Sequence, residues 1–235
     1  MTDVTSLLAR TPDAPEFVWV RSALLSGPEC VEWTDGRSAL LYDDLEASVL
    51  GRPPRERLLA YLERLPRGTE VVMGLEDAKA LGPLPGWCEE VAVVHVQHGP
   101  SPTPPVIRGQ VRIFETGEPL DLSHLPKDMF EEFTRARASS PLAVAFAEGQ
   151  PVSFSYSGSE TETWWDVSID TLEPWRKQGY AAATAHALIE HMRARGKRAV
   201  WAAVETNLAS LKLAARLGFT PVARVVSIWR EEDWP

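Results

Sequence analysis

The chain has 235 residues, 44% hydrophobic and 24% charged, with 33 Asp and Glu against 24 Lys and Arg and a formal net charge of -9. This is globular composition, long enough for one large domain or two small ones, and its acidic balance disfavours nucleic acid, which needs a basic face to neutralise phosphates. No run of about 18 apolar residues spans a membrane, the opening MTDVTSLLAR lacks a secretory pattern, and two cysteines, Cys30 and Cys88, are too few for a disulfide framework, so a cytoplasmic location is expected.

In chain order, residues 29–33 and 38–42 read as strands about the turn Thr34-Asp35-Gly36, followed by a short strand over 47–50. Pro53-Pro54 opens a helix with Leu58, Tyr61, Leu62 and Leu65 at i, i+3, i+4 and i+7 on one face. Residues 70–73 form a short strand, 77–81 a brief helix and 91–96 an apolar strand. The segment Gly99-Pro-Ser-Pro-Thr-Pro-Pro105 then forbids a helix or a central strand and makes a stiff connector. It divides an N-terminal α/β domain, 1–98, from a second domain, 106–235.

In the second domain, 106–114 is a strand and 127–136 a helix burying Met129, Phe130 and Phe133. A hairpin pairs 142–146 with 152–156 through Glu148-Gly149-Gln150, and 164–171 is a long strand. A helix over 179–195 packs through Ala181, Ala185, Leu188 and Met192. A strand at 199–204 leads to a helix over 208–217, with Asn207 as N-cap and Gly218 as stop, and 222–229 closes as a strand. Both halves follow one order of hairpin, strand, helix, strand, short helix and strand, which fits either a degenerate internal duplication or the ordinary recurrence of strand–helix alternation. Acids outnumber bases 16 to 9 before residue 106 and 17 to 15 after it, so an anionic ligand should prefer the second half.

The segment 164–181 runs from a strand through Glu173-Pro174 into Arg176-Lys177-Gln178-Gly179-Tyr180-Ala181 and a long helix. A turn feeding a helix N-terminus aims unpaired amides and the positive end of the dipole at one point, which suits a pyrophosphate. Gly179 lets the backbone approach without a Cβ, Ala181 is nearly as small, and Arg176 and Lys177 add charge. About thirty residues later comes Asn207-Leu-Ala-Ser210, ending at Leu217-Gly218-Phe219.

Together these residues resemble the GNAT superfamily of acetyl-CoA-dependent N-acyltransferases. Arg176-x-x-Gly179-x-Ala181 is similar to its pyrophosphate loop, and Asn207-x-x-Ser210 with Leu217-Gly218-Phe219 to its asparagine-led helix and terminal strand. The resemblance covers roughly 106–235 and implies a mixed, splayed α/β sheet flanked by helices, with the N-terminal domain as a smaller α/β unit or a degenerate GNAT-like half. It further implies that the backbone of Ile169 and Thr171 bonds the pantetheine arm of acetyl-CoA. The amides of Arg176, Lys177, Gln178, Gly179, Tyr180, Ala181 and Ala182 would hold the pyrophosphate, with Asn207 and Ser210 near the thioester.

Acetyl transfer needs an unprotonated amine, so a carboxylate should stand near the strand centre. Trp164, Asp166, Ser168 and Asp170 share one face by the strand's period of two. The resemblance makes Asp166, where related sequences often place a glutamate, the first choice of base, with Glu205, ending the next strand, the second. Family members commonly place a tyrosine seven residues after the asparagine to protonate the departing sulfur; here that position is Ala214. The acid is then Ser210, water or none, and a non-catalytic CoA-sensing or partner-binding module is the alternative reading. Trp164 and Trp165 are acceptor-pocket candidates, and the basic run 192–198 is a helix-end cap or a contact for the CoA nucleotide phosphate. His95 and His98 should face opposite sides of a strand, so no metal is expected. The acceptor amine and the oligomeric state are left open.

Overall fold

The computed structural model describes residues 4–42 and 46–230. Helices α1 (Val4–Arg10) and α2 (Val18–Ser26) precede strands β1 (Val31–Thr34), β2 (Ala39–Tyr42) and β3 (Ala47–Leu50). Neither helix is foreseen in the sequence. In α2, Val18, Trp19, Val20, Ala23 and Leu24 are all buried, so it is apolar around much of its girth and shows no 3.6-residue stripe. Helix α3 (Arg55–Arg64), strand β4 (Val71–Gly74), helix α4 (Leu75–Leu81) and strand β5 (Trp87–Gln97) complete the first half.

After the connector come β6 (Gln110–Phe114), α5 (Lys127–Ser139), β7 (Leu142–Ala147), β8 (Gln150–Glu160) and β9 (Trp164–Thr171). They are followed by α6 (Tyr180–Ala194), β10 (Arg198–Val204), α7 (Leu208–Arg216) and β11 (Phe219–Arg230). The strand expected from 106 starts only at Gln110: Pro104-Pro105 and Gly109 (φ +136°) interrupt regular pairing, and Val106 is fully exposed. Phe133 is buried under α5 and stacks on Phe154 at 4.1 Å, whereas Phe130 lies on the outer side of the helix, 41% exposed, against expectation.

All eleven strands form one sheet, in the order β1-β2-β3-β4-β11-β5-β10-β9-β8-β7-β6. Apart from the extra edge strand β6, this order is symmetric about the β11/β5 pair: β1–β4 correspond to β7–β10, and each half's last strand sits in the other half's place. Strand β5 lies between β10 and β11, antiparallel to both, and β11 lies between β5 and β4. Parallel β3–β4 mirrors parallel β9–β10, with α3 and α6 as the crossovers. The proline-rich connector therefore divides the sequence but not the sheet.

The feature that positions the site is the short β9–β10 ladder. These strands pair only at Trp164, Trp165 and Asp166 with Arg198, Ala199 and Val200; β9 then runs on to Thr171 and β10 to Val204 without pairing. On one face α6 and α7 bury Trp165, Val167, Leu188 and Trp201. On the other, Val18 and Trp19 cover Trp164, Val200 and Ala92, and α5 covers Phe154 and Tyr156.

Candidate active site

The splay leaves one edge of β9 open. Leu172 N donates to Val152 O on β8 at 2.9 Å, and Ser153 and Ser155 hydroxyls donate to the carbonyls of Asp170 and Ser168 at 3.1 Å. Since backbone groups alternate along a strand, those of Val167, Ile169 and Thr171 face the open side. An extended chain can add there as a strand does.

Where β9 ends, Lys177 (φ +61°) and Gly179 (φ +91°) both adopt left-handed backbone, turning the chain into α6. Gly179 is the N-cap of this 15-residue helix and no side chain caps it, so the first-turn amides of Tyr180, Ala181 and Ala182 are available to an anion. Arg176 and Lys177 stand exposed beside them, with Arg176 Nε donating to Thr171 O at 3.1 Å. Gln178 bonds back to Pro174 O at 3.0 Å. Tyr180 anchors the turn: its ring is buried against Trp175 and its hydroxyl donates to Arg108 O at 2.8 Å. This donor set fits a pyrophosphate. A Cβ on Gly179 would also lie 3.1 Å from Pro105 Cγ, so this glycine serves the connector's packing as well.

A cavity of about 440 Å³ opens from the splay towards the α2 side, and Asp166, Ser168, Asn207 and Ser210 all line it. Asn207 Oδ1 caps α7, accepting from Ser210 N at 3.0 Å. Ser210 Oγ accepts from the Trp201 indole at 2.9 Å, which leaves its own proton to donate.

Asp166 is buried in the wall of this cavity. Burial pushes its pKa up to about 7; the Trp19 indole and the Val167 amide, by hydrogen bonding, oppose the rise, and the charge of Glu70 adds to it. Glu70 stands immediately before β4 and opens to the same cavity. The surrounding protein raises its pKa too, against a hydrogen bond from Ser227. Three carboxyls thus line one cleft, Glu46 and Glu70 from the first half of the chain and Asp166 from the second.

Residues 121–225 match the GNAT acetyltransferase family. Solved structures share the fold over almost the whole chain. A GCN5-related N-acetyltransferase-like protein from Streptococcus suis aligns with a TM-score of 0.68 at 20% identity, covering 97% of this chain and 99% of that one. The chain has the GNAT fold, and its match to the GNAT acetyltransferase family lies within residues 121–225. A tandem GNAT protein from the clavulanic acid biosynthesis pathway aligns with a TM-score of 0.59 at 16% identity over 99% of this chain and 95% of that one. A GCN5-related N-acetyltransferase from Kribbella flavida gives 0.59 at 16% identity over 91% and 95%. No curated protein matches in sequence.

Within this fold some expected residues stand elsewhere. Glu205 is exposed, bonded to Arg224 Nε at 3.1 Å, and does not line the cleft; Glu70 and Glu46 stand there with Asp166. Trp164 and Trp165 are core residues rather than pocket lining: Arg198 stacks over Trp164 at 4.1 Å, Trp165 is fully buried, and Trp19 with Trp229 line the cavity instead. The basic run is committed within the protein, Arg193 to Glu190, Arg195 to Glu115 and Lys197 to Glu160. Ala214 is fully buried beneath α7 and supplies no hydroxyl. Among the described residues no cluster of His, Cys, Asp or Glu is arranged to hold a metal, and no helix is long and apolar enough to cross a membrane.

Glu70 escaped the sequence reading because it opens a strand 96 positions before Asp166. Only the exchange of β5 and β11 brings the two halves' cleft walls together. Its one sequence signal is an acid directly before the apolar run Val71-Val72-Met73.

Proposed function

We propose that this protein is an acetyl-CoA-dependent N-acetyltransferase in which an amine attacks the thioester directly. The observation that carries the reading is the convergence of an uncapped, glycine-turned helix N-terminus, an open strand edge and a buried carboxyl of raised pKa on one splay. Acetyl-CoA would supply the activated acetyl group. The amides of 180–182, with Arg176 and Lys177, would hold its pyrophosphate, and the open edge at Ile169 and Thr171 its pantetheine arm. Asp166, in its ionised form, takes the proton from the attacking amine as the N–C bond forms and the C–S bond breaks. Glu70 raises the basicity of Asp166 from across the cleft. Ser210, oriented by Trp201, donates a hydrogen bond to the departing sulfur, doing part of the work that Ala214 cannot. Exclusion of bulk water and orientation supply the rest of the rate.

Thiol release from acetyl-CoA with a panel of amines tests the activity. Steady release with at least one amine is expected. Tight CoA binding without release for any amine would favour the sensing module that Ala214 otherwise suggests. The cofactor site has its own test. Arg176→Glu should weaken CoA binding about tenfold in calorimetry, since it reverses a charge that assists the phosphate. Unchanged affinity would move the site elsewhere. Arg176 is a cleaner probe than Gly179, whose replacement strains both the left-handed turn and the contact with Pro105.

A further inference from the structure

A second cavity, of about 350 Å³, continues from the catalytic cleft; the two share Glu46 and Ser168 as common walls. Along it stand the carboxylates of Asp128, Glu131 and Glu132, with Arg135 as the one base among the described residues of the lining. Lys127, 3.6 Å from Glu131, offsets part of this charge from the surface. Tyr156, also in the lining, donates its hydroxyl proton to Glu132, and Asp170 Oδ2 lies 3.5 Å from the same hydroxyl. These carboxylates are strung along a groove rather than gathered about a point, and among the described residues none form a metal-holding cluster.

Glu46 is the hinge of this arrangement. It comes from the first half of the chain, just before β3, yet its carboxylate lies against β8 of the second half and accepts from the Ser159 hydroxyl. A Cβ on Gly158 would come within 2.5 Å of Glu46 Oε1, although Gly158 has no left-handed backbone to demand a glycine. A glycine inside a strand is less favourable than alanine and often marks close approach of another group. Here that group is the Glu46 carboxylate, seated between the reacting carboxyls and the acidic groove.

We propose that the acceptor is an aliphatic diamine or polyamine, and that Glu46 is a specificity-determining residue that binds its second ammonium while the first, unprotonated nitrogen meets Asp166. This rests on the acetyltransferase reading above. An extended cation matches a row of carboxylates one charge at a time. A monoamine leaves that row unmatched, and an anionic acceptor is repelled by it.

The test uses the full-length protein, with 1,4-diaminobutane and spermidine compared with n-butylamine. Thiol release should favour the diamine and triamine by at least tenfold in kcat/KM, mainly through KM, with the preference shrinking as salt is raised. Glu46→Gln should cut the diamine-to-monoamine ratio about tenfold. Gly158→Ala, which displaces the Glu46 carboxylate without removing it, should lower the ratio in the same direction. Equal kcat/KM for diamine and monoamine, or a ratio unmoved by Glu46→Gln, would overturn the inference while leaving the acetyltransferase standing. Calorimetry of spermidine against the CoA-saturated protein separates the two readings. Salt-sensitive binding weakened by Glu46→Gln without turnover supports the polycation groove and counts against the acetyltransferase, and no binding with no turnover overturns both.

Discussion

Replacing Asp166 by asparagine should lower kcat/KM for acetyl transfer by roughly 10²–10⁴ while making the folded protein more stable above pH 7. The two effects have one cause. In the folded protein burial holds the Asp166 pKa near 7, against 3.8 for an ordinary aspartate. The folded state therefore keeps a proton that the unfolded chain has released, and stability falls as pH rises from about 4 to about 7. Asparagine removes that loss and can still accept from the Trp19 indole. The gain at pH 8 should be of order 2–4 kcal/mol, since each pKa unit is worth about 1.4, and it should vanish near pH 4. Thermal unfolding at the two pH values checks this.

For the rate, an acceptor amine of pKa below about 6 keeps its own titration out of view. With it, wild-type kcat/KM should fall as pH drops through 7. Glu70→Gln should move that fall to lower pH, because one negative neighbour is gone. An Asp166→Asn enzyme with near-normal rate would exclude Asp166 as the base.

The second large effect concerns the boundary at 99–105. Composition suggests that residues 106–235 form a domain able to fold and bind CoA alone. The sheet argues otherwise, because β5, from before the connector, separates β10 from β11. A 106–235 fragment would lack β5, the partner of both β10 and β11, and would expose the apolar surface β5 covers, including buried Val200 and Val225. It is expected to give no cooperative unfolding transition and no CoA binding. Co-expression with residues 1–105 should restore both by supplying β5 in trans. A folded, monomeric fragment that binds CoA would show that the exchange is dispensable.

Most elements were legible where the chain obeys one simple period. Strands 47–50 and 164–171 stand at the expected bounds, and α3, α6 and α7 within one or two residues. The pyrophosphate turn was legible because its chemistry is local: two left-handed positions, a glycine and a helix start lie within four residues. What was hidden was non-local. Helix α2 has too broad an apolar surface to show a stripe. Glu70 and Glu46 look like ordinary surface acids until strand order carries them to a cleft built by the other half. Glu205 looked better placed because it ends the neighbouring strand, but its side chain turns outward to Arg224.

The exchange of β5 and β11 also limits how this protein can breathe. A hinge between two halves needs a line along which few bonds cross, but here any such line cuts a ladder running from Phe219–Gln97 to Arg230–Trp87. The acceptor wall and the cofactor wall should therefore move as one body, with entry governed by side chains and loops at the rim. In native-state hydrogen exchange the central amides of β5 and β11 should be the last to exchange, releasing only when the whole molecule unfolds.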